Sequence, residues 1–262
     1  MVDLYIFLEG DLIMSGHSKW ATTHRDKEKT DQQRGKIFTK IGREIAIAVK
    51  QGGPDPDSNP RLATAIEKAK ANNMPNDNIT RSIKKASGEL NAVNYEEMVY
   101  EGYGPGGSAF MLDVLTDNKN RAAADIRHLF DRAGGSLGGP GSVAYMFNRK
   151  AVINVQSDTK TEDDAMNIVL EHGGDDMVTD EGGYYTVYAE PTQLNELKKA
   201  FEADGFKIES AGLEMVPTTL ISLDDSKYNA FLKLVDNLEE SDDVQNVYHN
   251  VALREDEDDG ED

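Results

Sequence analysis

Residues 151–213 hold a complete order of elements, and that completeness leaves the chain on both sides unfinished. AVINV (151–155) reads as a strand, TEDDAMNIVLEH (161–172) as a helix, and DDMVT (175–179) and YYTVYA (184–189) as two more strands. PTQLNELKKAFEAD (191–204) is again helical, and KIESAGLEM (207–215) is again a strand. The order is β-α-β-β-α-β, the split-βαβ pattern of ferredoxin-like sandwiches. Before this unit, residues 97–116 read as two strands around a Gly-Pro-Gly-Gly turn. Asn118–Ala133 follows as a helix stopped by Gly134-Gly135, and Val143–Phe147 as a strand. After the unit come a helix at Lys227–Leu238 and a strand at Val244–Leu253, which lack partners of their own. They complete the open β-β-α-β of residues 97–147 if 151–213 is an insertion.

The chain ahead of these strands has a helical period. Ile37, Ile41, Ile45 and Val49 recur every fourth position beside Phe38, one buried stripe of an amphipathic helix over about Gln32–Gln51. Gly52-Gly53-Pro54 ends it. Asn59 is placed to cap a second helix with Pro60 at its first position, and Leu62, Ile66 and Ala69 form its stripe. Pro75 ends the connecting segment, and Asn76 or Asp77 is expected to cap a third helix with Ile79, Ile83 and Ala86 inward. Three short helices joined by tight turns make a small bundle. Met74, between the last two, reads as a core or loop-packing residue.

Charge divides the chain along the same line. The whole carries −20, yet residues 15–90 hold 15 Lys/Arg against nine Asp/Glu, while residues 91–262 hold 13 against 36. Lys36, Lys40, Arg43 and Lys50 fall off the apolar stripe of the first helix, so its solvent side is expected to be cationic. A cationic helix behind a basic arm carrying Trp20 suits a polyphosphate backbone; a solvated helix face is the competing reading. The absence of cysteine excludes disulfides, thiolate metal sites and a cysteine nucleophile. No apolar run approaches the ~20 residues of a membrane span. The opening MVDLYIFLEGDLI lacks a basic leader region, so the cytoplasm is the expected location.

No catalytic arrangement emerges. The histidines (His17, His24, His128, His172, His249) lie in different elements, outside any HExxH frame, and no serine sits in a GxSxG elbow. The glycines at 102, 104, 106 and 107 precede a strand rather than a helix, which makes them a hairpin turn and not a phosphate cradle. Nothing calls for a cofactor or a metal, and an enzyme is not expected.

The motifs MSGHSKW (14–20), RGKIFTK (34–40), NPR (59–61), AKANNMPNDNI (69–79), YEGYGPGG (100–107), LTDNKN (115–120) and GSVAYMF (141–147) resemble the YebC/PmpR family, which includes the mitochondrial translational activator of cytochrome c oxidase. The likeness runs from Met14 to about Leu253. It implies an α+β protein: a small N-terminal helical bundle plus two ferredoxin-like α/β domains, the third inserted in the second. On this chain the bounds are 14–90 for the basic helical domain, 91–150 plus 214–253 for the split domain and 151–213 for the insertion. Residues 1–13 lie outside the family pattern, and 254–262 are an acidic tail.

The resemblance implies no catalytic residues. Members are described as probable transcriptional regulators that bind DNA; another line treats them as ribosome-associated translation factors acting at proline-rich stalls. Either way the partner is nucleic acid, DNA or ribosomal or transfer RNA, met through the N-terminal domain and away from membranes. By resemblance the contacts are Lys19, Trp20, Arg34, Lys36, Lys40 and Arg43, with the Met74-Pro75 loop. His24, Arg25 and Lys27 stand where relatives carry a Lys-His-Arg-Lys cluster, here interrupted by Asp26. Asn76 stands where relatives often carry lysine, a second loss of positive charge. Trp20 is suited either to stack on a base or to cap the helical core. The sequence does not set the number of subunits.

Overall fold

The computed structural model describes residues 31–88, 93–180 and 182–254. Among these, 149–214 with 252–254 form one compact unit, and 31–148 with 215–251 form the other. The fold is α+β, with helices first and two four-stranded sheets after them.

The larger unit begins with three helices: α1 (Asp31–Gly52), α2 (Pro60–Ala71) and α3 (Asn76–Ala86). Ile41, Ile45 and Val49 of α1 bury against Leu62, Ala65 and Ala69 of α2 and Ile79 of α3, so the four-residue stripe points where its period requires. Asn59 joins the first two helices. Its Oδ1 accepts from the Leu62 amide at 3.1 Å, while its Nδ2 donates to the Ala48 and Gly53 carbonyls, each at 2.8 Å. Asn59→Ala removes the cap and strands two carbonyls, one of them buried, and is expected to cost about 2 kcal/mol in urea unfolding.

The start of α3 differs from expectation. Pro75 is the N-cap, and neither Asn76 nor Asp77 caps with its side chain. With φ at −58° and ψ at 139°, Pro75 presents its own carbonyl to the Asn78 and Ile79 amides, at 2.9 and 3.2 Å.

The first sheet has the order β3-β1-β2-β8, from β1 (Glu96–Tyr103), β2 (Ala109–Thr116), β3 (Ser136–Leu137) and β8 (Val244–His249). β1 and β2 form the expected hairpin, Tyr103 opposite Ala109, through a single turn at Pro105–Gly107. β8 pairs antiparallel with β2 and so joins the sheet begun more than a hundred residues earlier. Two helices, α4 (Lys119–Arg132) and α7 (Asp225–Glu240), supply Phe130 and Phe231, whose rings lie 5.6 and 5.7 Å from that of Phe110. All three rings are fully buried.

The expectation for the end of the glycine-rich stretch needs correction. Residues 144–146 form one turn of 3-10 helix rather than a strand, and extended chain begins only at Phe147, where β4 (Phe147–Gln156) starts. The cause is Glu101. Its buried carboxylate takes the amides of Gly141, Val143 and Ala144 at 2.7, 2.8 and 2.8 Å, so the last two are unavailable to a ladder. Residues 136–137 pair with Gly102 and Tyr103 as the two-residue strand β3, too short and glycine-flanked to read by period.

The smaller unit contains β4, α5 (Glu162–Glu171), β5 (Gly174–Asp180), β6 (Tyr184–Ala189), α6 (Leu194–Asp204) and β7 (Lys207–Pro217). Its sheet order, β5-β6-β4-β7, is that of a split-βαβ sandwich. Alternate residues Ala151, Ile153 and Val155 of β4 and Tyr185, Val187 and Ala189 of β6 bury against Leu197 and Phe201 of α6 and Ala165 and Val169 of α5. Thr161 and Asp164 close a reciprocal capping box at the start of α5.

Candidate nucleic-acid interface

Of the residues expected to meet nucleic acid, Lys19, Trp20, His24, Arg25 and Lys27 lie outside the described residues. The others lie on α1 and at the turn before α3.

Lys36, Lys40 and Arg43 are spaced by four and three, which places them along one side of α1. That side is only partly open to solvent. It meets the C-terminal end of α7 and the acidic turn after it. Lys36 Nζ is 3.6 Å from a carboxylate oxygen of Glu240, and Lys40 Nζ donates to the Glu239 carbonyl at 2.7 Å. The Arg43 guanidinium donates to the Asp242 carbonyl at 2.7 Å, to the Leu115 carbonyl at 3.0 Å and to the Asp243 carboxylate. It also lies 5.4 Å from the centre of the Tyr95 ring.

The physical cause is the end of α7. A helix C-terminus leaves carbonyls without intrahelical partners and carries partial negative charge, and here Glu239, Glu240, Asp242 and Asp243 add to it. A row of three cations compensates that end. Arg43 and Asp243 have only 12% and 9% of their side chains exposed. Arg121 approaches the other side of Asp243 at 2.9 and 3.1 Å and reaches Asp117 at 3.0 Å. The expected cationic solvent face on α1 is therefore corrected for these three residues: they fasten α1 to α7 and to the edge of the first sheet.

Arg34, two residues before Lys36, is exposed. Met74 is buried in the helical core with 7% exposure, and its amide donates to the Ala69 carbonyl at 2.9 Å. Its side chain thus supports the turn from inside, while Pro75 is exposed beside it. Other cations of the bundle are also engaged. Arg61 pairs with Glu97, holding that carboxyl below its usual range by direct hydrogen bonding, and Lys68 pairs with Glu44. Lys50 donates to Asn94.

Lys70 at the end of α2, and Arg81, Lys84 and Lys85 on α3, are exposed and form neither an ion pair nor a side-chain hydrogen bond with any described residue. Composition alone counts the three on α3 only as charge. The signal that singles them out is helical spacing, since 81, 84 and 85 fall opposite Ile79, Ile83 and Ala86, which pack against the core.

No group of three or more His, Asp or Glu side chains able to hold a metal occurs among the described residues. Nor is any described helix long and apolar enough to cross a membrane. The chain's matches to known proteins divide it between α3 and β1, the three helices on one side and both sheets on the other. Residues 18–89 match the model for the TACO1/YebC protein N-terminal domain, and residues 95–251 the model for the TACO1/YebC second and third domain. A "probable transcriptional regulatory protein" of Acetivibrio thermocellus is 54% identical over 239 residues, 90% of this chain and 98% of that one. A protein of the same description from Treponema denticola is 52% identical over 242 residues, 92% of this chain and 98% of its own. The crystal structure of a conserved hypothetical protein from Aquifex aeolicus superposes with a TM-score of 0.79 at 43% identity, over 87% of this chain and 93% of that one. With both family models matched in order and relatives above half identity along nearly their whole length, the chain belongs to the TACO1/YebC family.

Proposed function

We propose that this protein is a non-enzymatic regulator of gene expression that acts in the cytoplasm by binding nucleic acid through its helical end. The observation that carries the reading is the charge of that end. Within a chain of −20, residues 15–90 are net positive, and Lys70, Arg81, Lys84 and Lys85 stand exposed without a carboxylate partner among the described residues. Unpaired cations cost little in water and attract phosphate, while the acidic remainder repels it and orients the approach. The relatives' description as transcriptional regulators favours DNA as the ligand.

A second reading, a ribosome-associated factor that binds RNA, is favoured by the charge of residues 91–262, where 36 acidic side chains face 13 basic ones. A molecule of that polarity suits a ligand that receives one end only. The basic arm with Lys19, Trp20, His24, Arg25 and Lys27, together with Arg34, belongs to the proposed contact in both readings. Two measurements separate them: co-sedimentation of the full chain with ribosomes, and retention on duplex DNA, both across a salt series. Binding to either should weaken steeply as salt rises. Salt-independent retention, or none at low salt, rejects nucleic-acid binding altogether.

A further inference from the structure

We propose that the outer face of α3, with Arg81, Lys84 and Lys85 as its centre and Lys70 at its margin, is a phosphodiester-binding surface of this protein. The row Lys36, Lys40 and Arg43 is instead a clamp between α1 and the end of α7. The inference rests on the nucleic-acid reading above and adds to the basic arm and Arg34 a set of residues that the family resemblance does not name.

The argument begins with availability. A cation already compensating a carboxylate must break that contact before it can hold a phosphate, and a half-buried one must also be uncovered. Lys36, Lys40 and Arg43 are committed in this way to the end of α7. Arg81, Lys84 and Lys85 are exposed and make no ion pair with any described residue. Asp77, the acid one turn before Arg81, does not pair with it.

Geometry is the second step. Arg81 and Lys85 stand one turn apart with Lys84 between them, about 6 Å along the axis. A duplex strand advances about 3.4 Å per phosphate along its own axis, so the three side chains can span two or three consecutive phosphates. Their base is firm. Ile79 is buried, Ile83 and Ala86 pack on the same core, and Ser82 lies against Gly42 of α1, where an added Cβ would sit 3.5 Å from its Oγ. A rigid helix presenting three cations loses little order on binding. Of the described neighbours on α3, Asn78 is half-buried, and Asp77, Thr80 and Ser87 carry neither an aromatic ring nor an amide to read a base. The surface therefore reads backbone rather than sequence.

The test uses the full chain and three proteins: wild type, Arg81→Gln/Lys84→Gln/Lys85→Gln, and Lys36→Gln/Lys40→Gln. Fluorescence anisotropy is measured with a single-stranded RNA and a duplex DNA of equal length and mixed sequence, between ~50 and ~200 mM salt. The α3 variant alters only exposed side chains, and circular dichroism should show its unfolding midpoint unchanged. Three lost phosphate contacts lower the salt slope by about 2 on RNA and nearly 3 on duplex. Over that salt range the wild type should therefore lose about 20-fold more affinity than the variant on RNA, and about 40-fold more on duplex. The α1 variant should keep the wild-type slope. A wild type that binds with a slope the α3 variant shares overturns the assignment, as does a slope changed only by the α1 variant. If the wild type binds neither probe, the functional reading falls and takes this surface with it.

Discussion

Asp243→Ala is expected to destabilise the larger unit by about 3–5 kcal/mol, because it removes the one carboxylate that two guanidinium groups share in a nearly closed site. Arg43 would stay where it is, 12% exposed, with only the Asp242 and Leu115 carbonyls and the Tyr95 ring to compensate it. Arg121, nearly half exposed, can turn to water or to Asp117 and contributes much less to the loss. The mirror change, Arg43→Met, should cost less, since Asp243 keeps Arg121 and the methionine keeps part of the apolar stem. Combining Arg43→Met with Asp243→Leu should give a protein closer to wild type than Asp243→Ala, with a coupling of about 1–3 kcal/mol in a double-mutant cycle. Urea unfolding followed by the far-ultraviolet signal measures all of these. Additive losses would show that Arg43 and Asp243 do not act as a pair.

That pair also shows where the sequence stops being legible. The apolar stripe of α1 could be read because its cause is local: Ile41, Ile45 and Val49 lie on one side of any helix with 3.6 residues per turn, whatever covers them. The direction of Lys36, Lys40 and Arg43 could not, because it depends on the end of a helix about 200 residues further on. The split-βαβ unit was legible for the same local reason, as each strand and helix announced itself by period, and the order alone restricts the sheet. Residues 143–147 misread as a strand because they form a continuous apolar run with two aromatics, whereas the group that diverts their amides, Glu101, lies some 42 residues upstream. In the candidate interface, the net charge of the bundle was visible from composition. Which cations are free required knowing that Arg61 meets Glu97 and Lys68 meets Glu44.

Glu101 carries the second large effect. Glu101→Gln keeps the size of the side chain but turns one acceptor oxygen into a donor. At least one of the amides of Gly141, Val143 and Ala144 then faces an NH2 group. Charge-assisted bonds contribute roughly 1.5–3 kcal/mol each, and a stranded buried donor adds its own penalty, so a loss of about 3 kcal/mol is expected. The effect should be local first: amide hydrogen exchange at 141, 143 and 144 should accelerate before the rest of the sheet is affected. The Tyr103 hydroxyl, 2.8 Å from the Ser142 carbonyl, remains to tether the loop. The pH dependence identifies charge as the agent. Burial pushes the Glu101 carboxyl up, but the three amides that donate to it more than offset this, and its pKa lies below the ordinary 4.5. A carboxyl with a depressed folded pKa lends stability that is fully present above its unfolded value and is lost as pH falls through the folded one. The gap between wild type and Glu101→Gln should therefore be widest at neutral pH and shrink once the pH drops below the ordinary carboxyl range. A gap that stays constant across that range would mean that shape, and not the carboxylate charge, holds residues 141–144 in place.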